Sequence, residues 1–123
     1  MAFKVLIVDD SDLVCASLGK LLKGIPAIEQ IYSTDSMTGA LVSMKRHAPN
    51  FVVLDLHLRD GIALQRVEAF RRLTRRADVA VLTNHTSEYN RKASLAAGAG
   101  AFFDKSTEFE LLLDLLRHRA AMH

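Results

Sequence analysis

The stretch VVLDLHLRDG, residues 52–61, decides how this chain is read. It opens as a buried strand, with Val52, Val53 and Leu54 following Phe51, and then places Asp55 where the apolar run stops. Aspartate is among the residues least suited to strands and is costly to bury unpaired. A carboxylate at that point serves either a turn or chemistry, and the remaining strand ends separate the two.

Outward from this stretch, short β-branched runs alternate five times with segments of helical period, which argues for an α/β domain with a parallel sheet. Strands are expected at Lys4 to Val8, Ile28 to Ser33, Phe51 to Leu54, Val79 to Thr83 and Ala101 to Phe103. Three of them are apolar nearly throughout, as suits strands covered by helices on both faces. The first helix follows Ser11 as N-cap, turns Val14, Leu18, Leu21 and Leu22 inward, and stops at Gly24. The second uses Met37, Ala40, Leu41 and Met44, and the third Ala63, Val67 and Phe70. The fourth, roughly Ser87 to Ala97 and ending at Gly98, offers only Tyr89, Ala93, Ala96 and Ala97 as an inner stripe, so it is expected to be the least firmly anchored. The fifth, from Thr107 to about Arg119, faces the core with Phe109, Leu112, Leu113 and Leu116. Leu111 and Leu115 then fall on its opposite side, where a monomer leaves them wet.

The chain has 123 residues, half of them apolar and about a quarter charged, the balance of one soluble globular domain. No apolar run approaches the ~20 residues needed to cross a bilayer, and the early run from Phe3 to Val8 is too short for a signal-peptide core, so a cytoplasmic protein with no membrane partner is expected. Cys15 is the single cysteine, which excludes an internal disulfide and reads as a small buried apolar residue. Net charge is +2. Arg66, Arg71, Arg72, Arg75 and Arg76 cluster on one expected helix without interleaved aromatics, so they read as a solvated face rather than a nucleic-acid surface. No linker or repeat interrupts the sequence, and a single domain over residues 1–123, without an output domain, is expected.

In an open parallel sheet, ligands sit outside the carboxyl ends of the strands. Here the first strand ends in Asp9-Asp10, the third in Asp55, the fourth in Thr83 and the fifth in Asp104-Lys105. Carboxylates packed together raise their own pKa values unless a cation joins them, and hard oxygen ligands on an open rim suit Mg2+ best, with Mn2+ as the alternative. A carboxylate is also a competent nucleophile toward phosphorus, given a metal, a lysine and a hydroxyl to neutralise the phosphoryl oxygens. Asp55, on the middle strand, is the expected nucleophile. Taken singly, Asp9-Asp10 reads as a helix cap, Asp55 as a turn residue, Thr83 as a strand threonine and Lys105 as a surface lysine; their conjunction on one rim is what favours chemistry.

The segments VLIVDDS, VVLDLHLRDG, VLTN and AFFDKS resemble, in order and spacing, the motifs of response-regulator receiver domains of two-component signalling. The resemblance implies a flavodoxin-like (βα)5 three-layer sandwich with strand order 2-1-3-4-5. It also implies that Asp55 is the phosphoacceptor, that Asp9, Asp10, Asp55 and the backbone carbonyl of His57 hold Mg2+, and that Thr83 and Lys105 contact the phosphoryl group. The donor would be the phosphohistidine of a sensor histidine kinase or a phosphotransfer protein. Phe102 matches the aromatic that turns inward on activation, into space left by Thr83 as it moves to the phosphoryl oxygens. The surface of the fourth helix, fifth strand and fifth helix, with Tyr89, Leu111 and Leu115, would then meet an unidentified downstream protein. Such a chain is no enzyme beyond catalysing its own phosphorylation and dephosphorylation.

Four departures from the family pattern stand out. Arg59 replaces the usual proline after the phosphoacceptor and is expected to point to solvent rather than to the phosphoryl group. Ser106 replaces the proline after the lysine, which puts a cis bond there in question. Asn84 is larger than the usual residue after Thr83, and His57 and His85 either tune the phosphoryl lifetime or are loop histidines without a role. Two other functions compete. A Mg2+-dependent phosphohydrolase of the haloacid-dehalogenase type needs a second Asp two residues after the nucleophile, where this chain has His57. A phosphate-independent pseudo-receiver is disfavoured because none of the five main site groups is missing.

Overall fold

The computed structural model describes residues 2–73 and 76–123. In chain order the elements are β1 (Phe3–Val8), α1 (Asp12–Lys23), β2 (Ile28–Thr34), α2 (Met37–His47), β3 (Phe51–Leu54), β4 (His57–Leu58), β5 (Gly61–Ile62), α3 (Val67–Leu73), β6 (Asp78–Thr83), α4 (Glu88–Ala96), β7 (Ala101–Asp104) and α5 (Phe109–Met122). One 3-10 turn, Ala63–Arg66, leads into α3.

Five strands form a parallel sheet in the order β2-β1-β3-β6-β7, while β4 and β5 make a separate antiparallel hairpin. With that hairpin set aside, this is the order 2-1-3-4-5. Side chains alternate across the pleat. Leu6, Val8, Val52, Leu54, Val79, Val81 and Phe102 join Met37 and Ala40 of α2 and Val67 and Phe70 of α3 in one core. Val5, Ile7, Phe51, Val53, Ala80 and Leu82 join Leu18 and Leu22 of α1 and Leu112, Leu113 and Leu116 of α5 in the other. The continuous apolar runs of β1, β3 and β6 follow from this double coverage. Among the described residues, no helix is long and apolar enough to cross a membrane.

Local signals account for the ends. Ser11 caps α1 by accepting the Val14 amide, and Ser87 caps α4 by accepting that of Asn90. α5 buries three leucines, each contributing about 1.5–3 kcal/mol when fully buried, whereas the one fully buried residue of α4 is Ser94.

Several expectations are corrected. The inner stripe of α4 runs through Ala93, Ser94 and Ala97, leaving Tyr89 and Ala96 exposed; a helix of small side chains carries too little hydrophobic contrast to phase its period. Leu21 of α1 is exposed, and the core takes Leu18 and Leu22. Leu115 is half-buried against the α1/α5 core, because it adjoins Leu112 and Leu116 at the edge of the apolar stripe, so only Leu111 stands out from α5 as expected. Cys15 is half-buried, its Sγ donating to the Asp9 carbonyl at 3.5 Å. Of the arginines, Arg72 is exposed and pairs with Glu68, and Arg76 is exposed, but Arg71 donates to the Ala77 carbonyl where the chain turns back after α3. Arg75 and the side chain of Arg66 lie outside the described residues.

Candidate functional site

The parallel register carries the ends of β1 and β3 to one level, because Val8 pairs with Leu54 and the Asp55 amide donates to the Val8 carbonyl at 2.9 Å. The residues that follow these strands therefore emerge side by side. One carboxylate oxygen from each of Asp9, Asp10 and Asp55 falls within 4.8 Å of the others, with Asp9 and Asp55 buried and Asp10 exposed. From the far strand, the Lys105 amide donates to the Thr83 carbonyl at 2.9 Å, and this turn sends the side chain back across the sheet end. Lys105 Nζ lies 2.8 Å from Asp9 Oδ2 and 2.9 Å from Asp55 Oδ2.

The charges do not balance. One ammonium faces two buried carboxylates with a third at their edge. Burial pushes the Asp9 carboxyl above its usual range although Lys105 and the Ser11 amide hydrogen-bond to it and Asp55 adds to the repulsion. Burial works against the Lys105 charge too, but its hydrogen bonds to Asp9 and Asp55 outweigh that and raise its pKa. Uncompensated negative charge, carried by oxygen donors with one exposed member, suits a hard divalent cation.

The remaining expected groups surround this cluster. Thr83 is fully buried at the end of β6, and its hydroxyl accepts the His85 amide at 3.1 Å. The His57 amide faces Asp55 Oδ1 at 3.5 Å. The rings of His57 and His85 stack with centroids 3.5 Å apart and planes at 24°, and Asn90 Nδ2 holds the His85 carbonyl at 3.0 Å. Asn84 is exposed between Thr83 and His85. Arg59 is largely exposed, but its guanidinium is not free in solvent: it pairs with Asp35 at 2.9 Å.

Phe102 lies inside, 5% exposed, packed in the α2/α3 core and covered by the guanidinium of Arg91. A phenylalanine carries no hydroxyl that must be kept wet, so nothing in its side chain opposes this burial. The Lys105–Ser106 bond is trans, as is every described peptide bond, and Asp104 Oδ1 ties this turn by accepting from the Ser106 amide at 2.8 Å and its hydroxyl at 2.6 Å. Asp60, Asp35 and Glu108 carry contacts that the sequence did not single out.

The family model for the response regulator receiver domain matches residues 5–117. The nitrate/nitrite response regulator protein NarP of Escherichia coli strain K12 is 28% identical over 115 residues, covering 94% of this chain and 54% of the relative. The photosynthetic apparatus regulatory protein RegA of Rhodobacter capsulatus is 30% identical over 104 residues, covering 85% of this chain and 55% of the relative. The chain thus spans about half the length of these curated relatives. In fold it is similar to the crystal structure of a response regulator receiver domain protein from Methanospirillum hungatei, with a TM-score of 0.88 at 21% identity, covering 99% of this chain and 96% of that one.

Proposed function

We propose that this chain, which belongs to the response regulator receiver domain family, works as a phosphorylation-dependent switch in which Asp55 accepts a phosphoryl group from a phosphohistidine. The observation that carries this reading is the bridge of Lys105 Nζ to Asp55 and Asp9 inside a cluster of three carboxylates. The donor would belong to a sensor histidine kinase or a phosphotransfer protein of the cytoplasm.

The chemistry follows from the arrangement. An Asp55 oxygen attacks phosphorus as the P–N bond to the donor imidazole breaks, and the leaving imidazole takes its proton from solvent. Asp9, Asp10, Asp55 and the His57 carbonyl would hold Mg2+, or Mn2+ in its place, which when bound neutralises the phosphoryl oxygens. Lys105, already between Asp9 and Asp55, is placed to follow the new negative charge, and Thr83 supplies a hydroxyl once its bond from the His85 amide is exchanged. Hydrolysis of the aspartyl phosphate returns the chain to its first state, so it catalyses no reaction beyond its own phosphorylation and dephosphorylation. The stacked His57–His85 pair and Asn84 limit access of the attacking water, while Arg59, held by Asp35, stays out of the reaction.

The readout is a face rather than a product. Tyr89 is 74% exposed on α4 and Leu111 52% exposed on α5, flanking β7. A downstream protein would dock there, and α4, with its small inner side chains, is the element most easily shifted. The test is incubation with acetyl phosphate and Mg2+: one phosphoryl adduct on Asp55, absent in Asp55→Asn, is expected. Amide signals of α4 should then move on adding beryllofluoride with Mg2+. No adduct and no response to the mimic would overturn the switch.

A further inference from the structure

Arg59 and Asp60 close the hairpin between β4 and β5, and Gly61, which opens β5, has a φ of +130° that other residues rarely adopt. The polar groups of this turn are directed at one neighbour, the segment where β2 passes into α2. Asp60 Oδ1 accepts the Met37 amide at 2.9 Å, and its Oδ2 accepts the Thr38 amide at 3.1 Å and the Thr38 hydroxyl at 3.0 Å. Ser36 Oγ accepts the Gly39 amide at 2.9 Å. The first three amides of α2 are therefore satisfied, two of them by a carboxylate from a different part of the chain. Arg59 adds its amide to the Asp35 carbonyl at 3.2 Å and its guanidinium to the Asp35 carboxylate.

These ties are unequal. Both ties are exposed, and an exposed ion pair such as Arg59–Asp35 contributes little, but Asp60 accepts three hydrogen bonds at the positive end of a helix. The close seat is built into α2, since a Cβ on Gly39 would collide with the Thr34 hydroxyl and crowd Ser36 Oγ, so any larger residue would force the Thr34 side chain to move. The other end of the hairpin carries His57, paired with Ile62, and the Ala63 amide donates to the Leu56 carbonyl at 2.6 Å. Leu56 and His57 directly follow Asp55, so whatever fixes the hairpin fixes the backbone beside the carboxylate cluster.

We propose that Asp60 is a positioning residue for the carboxylate pocket: by anchoring the hairpin to the N-terminus of α2 it sets the His57 carbonyl relative to Asp55. The inference rests on the reading of Asp9, Asp10, Asp55 and the His57 carbonyl as the Mg2+ site. It also accounts for Arg59 in place of the family's proline: a tertiary tie replaces the stiffness of the ring.

The experiment compares Asp60→Ala with Ser36→Ala, which removes a capping bond from the same helix and leaves the hairpin untouched. Mg2+ alone is titrated into the isotope-labelled full chain and followed by amide shifts, and hydrogen exchange of the metal-free chain is read at His57 and Arg59. D60A is expected to weaken Mg2+ binding by roughly tenfold, the low end for removing a group that orients a metal ligand, and to speed exchange at both amides. S36A should lower the melting temperature and leave both readouts near wild type. Equal loss of Mg2+ affinity in the two variants, or unchanged affinity in D60A, would overturn the positioning role. Mg2+-induced shifts of the wild-type chain that persist unchanged in the Asp55→Asn variant would instead overturn the site reading on which it rests.

Discussion

Arg91 lies over the ring of Phe102, its guanidinium carbon 5.0 Å from the ring centroid, and also pairs at 3.8 Å with Glu108, whose carboxylate accepts the Asp104 amide at 2.8 Å. The contact links α4 to β7 and to the start of α5, and it covers the outer side of the buried ring. Arg91→Ala is expected to cost about 0.5–1 kcal/mol, the range of a cation–π contact near the surface. In the same variant the Phe102 ring signals should broaden as the ring begins to sample the outside. Unchanged ring signals would show that the core alone holds Phe102.

Lys105 is the only cation in contact with Asp9 and Asp55 among the described residues. Lys105→Ala leaves both carboxylates buried and unpaired, and removing one partner of a buried charge pair costs about 3–5 kcal/mol. Urea denaturation should show this loss without metal and a partial recovery in excess Mg2+. A loss unaffected by Mg2+ would mean that the cation and the lysine do not act on the same carboxylates.

Asp60 supplies a pH test with a definite sign. Its hydrogen bonds from the Met37 and Thr38 amides lower its pKa from 3.8 to about 2. A carboxyl with a depressed folded pKa contributes stability that is fully present above 3.8 and is lost as the pH falls through about 2. The melting-temperature difference between wild type and Asp60→Asn should therefore shrink across that window and stay constant above it. A difference that grows on acidification would contradict the assignment.

Ser94 faces the core from α4, and its hydroxyl has no hydrogen-bond partner among the described residues. An unsatisfied buried hydroxyl is costly, and alanine is the better helix former, so Ser94→Ala should stabilise the chain by about 1 kcal/mol. Because α4 is the weakly anchored element, the same change should slow its amide exchange more than that of α5. Destabilisation would indicate that the hydroxyl finds a partner.

The proposed switch gives the stacked imidazoles a place beside the path of the attacking water. His85→Ala removes one half of the stack beside Thr83 and opens the pocket to water, and the aspartyl phosphate should decay several-fold faster with its rate of formation little changed. Decay at the wild-type rate, followed after removal of the donor, would free the pair of this role.

The sheet and its rim were legible in the order of the residues. A strand covered on both faces has to be apolar at nearly every position, so Val52, Val53 and Leu54 announce themselves, and a carboxylate such as Asp55 shows clearly at the point where the apolar run stops. The same contrast located Asp9, Asp10, Thr83 and Lys105, each on the boundary between an apolar run and a turn. The features that were not legible depend on contacts between residues far apart in the chain or on side chains too alike to give a period. Asp60 caps α2 from twenty-three positions beyond Met37, and nothing local to either residue encodes that meeting. His57 stacks on His85 because two strand ends bring their loops together. Phe102 packs in the α2/α3 core under Arg91, which comes from another element. The rotation of α4 about its axis, which buried Ser94 and exposed Tyr89, was set by packing, since alanine and serine give a helix no strongly apolar side for the sequence to reveal.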